Sequence, residues 1–222
     1  MRSVFDIIGP IMVGPSSSHT AGAVRIGNLV RSILGCDVTE ANIFLHGSFA
    51  ATGAGHGTDR ALVAGLLGLT PADQRVPLGL SLAEQRGVAI SFGEILLADA
   101  HPNSVVIEAK GAKDQVRVQA ASSGGGSVEV NQIDAYQVAF SGEYDALITI
   151  HLDEPGIVAK VSNLLAEHGI NIAFMRLSRH ERGETALMII ETDQHLEDAV
   201  LQQVRQIPDI QKAIAVPKVE VI

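Results

Sequence analysis

The sequence predicts an α+β protein of two domains. Three observations carry that expectation: its length, its aliphatic composition, and hydrophobic periods that switch repeatedly between two and about 3.6 residues. At 222 residues the chain can bury one large core or two modest ones, because domains commonly run to about 100–200 residues. Hydrophobic residues make up 46% of it, yet aromatics only 4% with no Trp. The core must therefore be built from Val, Ile, Leu and Ala, which suits sheets covered by helices. The predicted domains are residues 1–142 and 145–222.

In the first domain a helix is expected from Ala21 to Leu34, capped by Thr20, with Ile26, Leu29, Val30 and Ile33 along one side and Gly35 beyond its end. A strand from Ala41 to Leu45 follows. Thr58 or Asp59 should cap a second helix running to Leu67, and alternating runs at Val88–Phe92, Val105–Ala109 and Val116–Ala120 read as strands. No internal repeat is present, and the low-complexity stretch is Ser122-Ser123-Gly124-Gly125-Gly126-Ser127.

The second domain is read more directly. Ile148, Ile150 and Leu152 alternate with Leu147, Thr149 and His151 as a strand does. Asp153-Glu154-Pro155-Gly156 makes a turn with Pro placed to open a helix, and Val158, Val161, Leu164 and Leu165 recur at helical spacing until Gly169. Strands are expected at Ile170–Leu177 and Thr185–Glu191, a helical stripe at Leu196, Val200, Leu201 and Val204, and a last strand at Ile210–Val216. Strand, helix, strand, strand, helix, strand closes into a ferredoxin-like βαββαβ sandwich.

Composition also excludes partners. A formal net charge of -9, with scattered Lys and Arg, repels a phosphate backbone and argues against nucleic acid. No apolar run reaches the roughly 18–20 residues of a membrane helix, and the N-terminus lacks the three regions of a secretory signal, so a cytoplasmic location is expected. Cys36 is the single cysteine and reads as a small buried hydrophobe at a helix end. One thiol cannot build a four-cysteine site, so no metal ligands are expected here and soft-metal chemistry must borrow them from another chain.

Two segments carry chemistry. Gly14-Pro15-Ser16-Ser17-Ser18-His19-Thr20 packs four hydroxyls and an imidazole in front of a helix, where free backbone donors can hold a carboxylate. Capping alone needs one hydroxyl and no histidine. The segment from His46 to Asp59 sets His56 between glycines, again before a helix, where the positive end of the dipole would favour the neutral imidazole that a general base needs. Glycines serving turns, with histidine as filler, are the plainer reading of that segment taken alone.

Residues 145–222, through their element order and the segment LDEPGIVAKVSNLLAEHGINIAFM, resemble the ACT domain, an amino-acid-sensing module. The resemblance implies an effector site at Asp153, Pro155, Gly156 and Asn171, usually between two copies, and hence self-association. Pro-Gly at a helix start also serves turn geometry alone. GPSSSHTAG followed by GAGHGTD, with VFDIIGP, Ala100-His101-Pro102-Asn103 and the SSGGGS turn, resembles the beta portion of the bacterial two-chain iron-sulfur L-serine dehydratases. Its first domain also resembles the allosteric substrate-binding domain of some phosphoglycerate dehydrogenases.

The resemblance implies elimination of water from L-serine to give pyruvate and ammonia, with a [4Fe-4S] cluster whose ligands lie on an alpha subunit. It implies His56 as base, His19 and His101 as substrate-binding or proton-relay groups, and Ser16, Ser17, Ser18 and Thr20 as holders of the carboxylate or amino group. Ser48 and Thr58 would complete the pocket, and Gly124 and Gly125 would bring backbone donors to its wall. His46 stands where the family pattern has tyrosine and is not carried over. Two rivals are a purely regulatory amino-acid sensor without catalysis and a serine hydrolase. The second lacks a nucleophile elbow, and Ser18 and His19 are adjacent in sequence, which does not provide the required geometry.

Overall fold

The computed structural model describes residues 11–219; the Val4–Pro10 segment of the resemblance lies outside them. A π-helical turn at Ser17–Ala21 runs straight into α1 (Gly22–Leu34). β1 (Val38–Leu45), α2 (Gly47–His56), α3 (Thr58–Leu66), a short 3₁₀ turn, α4 (Gly79–Gln85) and β2 (Ala89–Glu94) follow. Next come β3 (Ser104–Gly111), β4 (Gln115–Gly124), β5 (Ser127–Ile133) and β6 (Tyr136–Phe140). These strands form one sheet in the order β2-β1-β3-β4-β5-β6, with β1 and β2 parallel and the other neighbours antiparallel.

The remaining elements are β7 (Asp145–Leu152), α5 (Ile157–Glu167), β8 (Ile172–Arg179), β9 (Thr185–Thr192), α6 (Asp198–Arg205) and β10 (Ile210–Val216). Their antiparallel sheet has the order β10-β7-β9-β8, so the chain is α+β with a ferredoxin-like sandwich in its last third. One face of this sheet buries Leu147, Met188, Ile190 and Ala213 against Ile157, Val161 and Leu165 of α5 and Val200 and Val204 of α6. Ile148, Leu187, Ile189 and Ile214 on the other face join one core with Ile33 of α1 and Val116, Val118 and Ile133 of the larger sheet. Hydrogen bonds from Ser178 Oγ to the Gln137 carbonyl (2.5 Å) and between the Tyr136 and Thr185 hydroxyls (2.6 Å) fasten the same seam.

Three expectations are corrected. The cap before α3 is Gly57, without a side-chain cap bond, and not Thr58 or Asp59, which already lie in the helix. The cap before α1 is Ser16, whose hydroxyl accepts from the His19 N–H, because the π-helical turn extends the helical path back past Thr20. Residues 47–56 are a helix rather than a glycine loop: alanines hold the helical path, and it breaks at Gly57, whose φ of +69° costs a glycine little. Among the described residues no helix is long and apolar enough to cross a membrane.

α1 and α3 cross at two glycines. A Cβ on Gly65 would strike the Val24 carbonyl, and one on Gly27 would strike the Leu62 carbonyl. The Gly65→Val protein should therefore lose about 2 kcal/mol or more of unfolding free energy. This would appear as a lower urea midpoint at unchanged slope, and an unchanged midpoint would contradict the crossing.

Candidate functional site

The His19 ring is held on both sides by hydroxyls. Its Nδ1 lies 3.0 Å from Ser18 Oγ, and its Nε2 lies 3.1 Å from Ser48 Oγ and 3.2 Å from Thr52 Oγ1. The Thr52 hydroxyl donates to the Ser48 carbonyl at 2.9 Å, so toward His19 it accepts. That arrangement favours the Nε2–H tautomer, with Nδ1 accepting from Ser18. Ser16 Oγ, 3.4 Å from Ser18 Oγ, extends the chain of hydroxyls. Phe49 packs edge-on against the imidazole at 5.2 Å.

His56 stands beside it, with ring centroids 5.0 Å apart. Its Nδ1 lies 3.0 Å from the Thr52 carbonyl, and a carbonyl only accepts, so Nδ1 carries a proton and Nε2 is the nitrogen that bears the lone pair in the uncharged ring. His56 stands just ahead of α3, as expected, but it is also the last residue of α2. The ends of the two helices act on it with opposite signs, so the dipole argument no longer decides its form. What fixes the tautomer is a backbone carbonyl one helical turn back. Ser48, Thr52 and His56 recur every four residues and so share one face of α2. That spacing was legible in the sequence, yet Thr52 was missed because the segment was read as loop.

The other expected residues fall as follows. Ser17 lies in the π-helical turn, where its carbonyl accepts from the Gly22 N–H. Thr20 is 3% exposed and its hydroxyl donates to the His56 carbonyl at 3.3 Å, so it fastens the two histidine segments together instead of facing a ligand. Thr58 is fully buried against Gly53 and stands behind the His56 turn rather than on its surface. His101 is exposed and accepts from the Asn103 N–H at 3.1 Å. The adjacent Pro102 carbonyl receives the Ser48 N–H at 2.7 Å, which seats this segment at the start of α2.

Gly124 and Gly125 form the tip of the β4–β5 hairpin with φ of +100° and +61°. Ser122, at its base, packs on Gly22, in the first turn of α1 after His19. His46 is buried, with Nδ1 3.2 Å from the Ile95 carbonyl. The segments 11–24, 46–58, 100–104 and 122–128 contain no Asp, Glu, Lys or Arg, so the site is built from neutral groups.

The four expected effector residues do not share a pocket within one chain. Asp153 follows β7, and its carboxylate accepts from Arg179 at 3.2 Å and the Gly183 N–H at 3.3 Å. The Gly183 N–H first, and Arg179 next, pull it below the usual carboxylate range. Pro155 and Gly156 are exposed beside it. Asn171 precedes β8, with its Nδ2 2.6 Å from Asp193 Oδ2. The registers Leu152–Thr185 and Ile172–Thr192 put the two at opposite ends of the sheet, roughly 20 Å apart.

Burial, and then the charge of His56, hold the His19 pKa below its ordinary 6.5, against hydrogen bonding at Ser48. The unfolded chain therefore takes up this proton first. The stability His19 contributes is present above pH 6.5 and is lost as pH falls from there through the folded midpoint. An NMR titration should place the His19 midpoint below 6.5, and in His56→Gln it should rise. A wild-type midpoint above 6.5 would contradict this packing.

Comparison with known proteins places the chain in a family. Residues 3–84 match the family model described as serine dehydratase beta chain, and residues 146–209 match the ACT domain. The chain is 40% identical over 209 residues to the probable L-serine dehydratase, beta chain, of Bacillus subtilis (strain 168), covering 94% of this chain and 95% of that one. It is 38% identical over 200 residues to the L-serine dehydratase, beta chain, of Peptoniphilus asaccharolyticus, covering 89% and 90%. A D-3-phosphoglycerate dehydrogenase of Methanocaldococcus jannaschii is 27% identical over 198 residues, which is 87% of this chain but 36% of that protein. Aligned nearly end to end with two such beta chains, this protein belongs to the L-serine dehydratase beta-chain family.

Proposed function

We propose that this chain is the substrate-binding and proton-transfer half of an L-serine dehydratase (an L-serine ammonia-lyase). The enzyme eliminates water from L-serine to give an aminoacrylate that hydrolyses to pyruvate and ammonia. In this reading residues 1–142 form the substrate-binding domain and residues 145–222 the ACT domain. The supporting observation is the His56 imidazole, whose Nδ1 faces the Thr52 carbonyl and leaves Nε2 for the substrate, set 5.0 Å from a second imidazole that hydroxyls hold in place. The α-proton of serine is weakly acidic, so its base must be unprotonated and held close to it.

In this reading His56 takes the α-proton on Nε2, and His19 and His101 bind substrate polar groups or relay protons. Ser16, Ser17, Ser18 and Ser48 receive the carboxylate or amino group, and Gly124 and Gly125 offer backbone N–H groups at the wall. The hydrogen bond of Thr20 and the burial of Thr58 give these two a supporting part.

The chain's own residues do not fit a [4Fe-4S] cluster, which is held by several thiolates. The single Cys36 packs by Gly111, past the far end of the 13-residue α1, roughly 20 Å along from His19. Among the described residues no group of three or more His, Cys, Asp or Glu could hold a metal ion. This donor set supports a reading in which an alpha subunit would hold the cluster, whose chemistry there would be that of a Lewis acid toward the serine hydroxyl.

Co-expression with an alpha chain should give a brown complex that forms pyruvate from L-serine. His56→Ala should lower kcat by about 100-fold or more while the cluster absorption stays intact. Near-normal turnover in that variant would refute the base assignment. A wild-type complex with no turnover would favour an amino-acid sensor without catalysis.

Self-association is proposed through β8, the edge strand, where Phe174, Met175 and Leu177 are exposed. Antiparallel pairing of two β8 edges would bring Asn171 of one copy toward Asp153, Pro155 and Gly156 of the other, forming an amino-acid effector site. Leu177→Lys should shift sedimentation to the smaller species. An unchanged sedimentation coefficient would count against this interface.

A further inference from the structure

Arg25 lies in the first turns of α1, between Ala23 and Val24 on one side and Ile26 on the other, all fully buried. Arginine is rarely buried without a specific partner, and this one is 2% exposed. One partner is the hairpin: Nη1 donates to the carbonyl of Gly126 at the tip of the β4–β5 turn. Gly124, Gly125 and Gly126 have φ of +100°, +61° and +82° in succession. Three consecutive glycines have little conformational preference of their own, so the shape of this tip must be set from outside.

A second hold comes from the other side. Asn103 Nδ2 donates to the Ser122 carbonyl at 3.2 Å, and the Ser122 N–H donates to the Asn103 carbonyl at 3.0 Å. Gly22 completes the seat, because a Cβ there would strike the Ser122 side chain. The hairpin is thus gripped by α1 and by the His101 segment, the two elements between which a small ligand at His19 would lie. Arg25 is also the first charged side chain along α1, beyond site segments that carry none. Its counter-charge is Glu143, in the connection to the second sheet.

We infer that Arg25 is a positioning residue of this site: it locks the glycine hairpin against the turn that carries His19, and so sets how tightly the enzyme holds an amino-acid carboxylate. The inference rests on the proposed dehydratase reading. A guanidinium fork presents several donors in fixed geometry, whereas an ammonium presents one compact charge, so the two substitutions can be told apart.

The experiment uses the reconstituted two-chain enzyme with Arg25→Lys, Arg25→Met and Asn103→Ala. Arg25→Met should raise KM for L-serine about tenfold or more while kcat stays within about threefold. Arg25→Lys should recover part of that affinity, and Asn103→Ala should give a smaller KM rise. Hydrogen exchange on the beta chain should show faster amide exchange at residues 122–128 in both Arg25→Met and Asn103→Ala, with the second sheet unchanged. Arg25→Lys carries the test where Arg25→Met does not fold, because a slack hairpin should then still appear as faster local exchange.

An unaltered KM in Arg25→Met, or hairpin exchange equal to wild type in the folded variants, overturns the inference. A parallel fall in kcat and melting temperature with KM unchanged would also overturn it, in favour of a merely structural arginine. If the wild-type complex turns over no L-serine, the dehydratase reading fails, and the exchange data then decide the hairpin clamp by themselves.

Discussion

The glycine crossing of α1 and α3 is the constraint on which the site depends. His19 leads into α1 and His56 leads into α3, so the approach of the two helices decides how far apart the imidazoles stand. Because Gly27 and Gly65 let backbone meet backbone, the preceding turns converge and the rings come to 5.0 Å. A side chain at either glycine would displace one helix and carry one histidine away from the other. Close packing is what makes the site precise, since interiors relax poorly when volume is added. Thr20 adds a polar stitch across the same junction through the His56 carbonyl.

Charge is handled by omission. The chain is acidic overall, yet the segments around the two histidines contain no ionisable side chain besides histidine. His19 contacts hydroxyls and His56 contacts a carbonyl. A carboxylate at either ring would favour the imidazolium, which is the wrong form for the proposed base. Burial and mutual repulsion instead disfavour charging His19, and the Arg25 guanidinium is held at the hairpin by the Gly126 carbonyl.

How much of this was legible in the sequence follows from where patterns are dense. The second sheet was read almost residue by residue, ending on Ile210–Val216 as observed, because its strands alternate and its turns carry Gly and Pro. The two histidine segments were identified by composition. Their geometry was not: GSFAATGAGH has too many glycines to read as a helix, so the sequence shows His56 ahead of α3 but not that it also ends α2. β5 and β6 went unread because Ser127–Ile133 and Tyr136–Phe140 are short and mix polar with apolar residues. Arg25 was invisible for a different reason. An arginine inside an apolar stripe announces a partner but not which one, and Gly126 lies 101 positions away.

The exposure of the proposed base then has a physical meaning. His56, Thr52 and their neighbours Ala51, Ala54 and Gly55 form an open face of α2, and a base bathed in water would be solvated in competition with its substrate. Transition-state charge is stabilised best where water is excluded and donors are fixed. This chain fixes the donors, through Ser16, Ser18, Ser48 and the hairpin, but it does not exclude the water. The small side chains beside His56 leave room for another backbone to come close, as glycine-rich and alanine-rich surfaces do. In the proposed dehydratase the proton-transfer groups would stand ready on this chain, and an alpha subunit closing over the open face of α2 would supply the exclusion of water that this chain lacks.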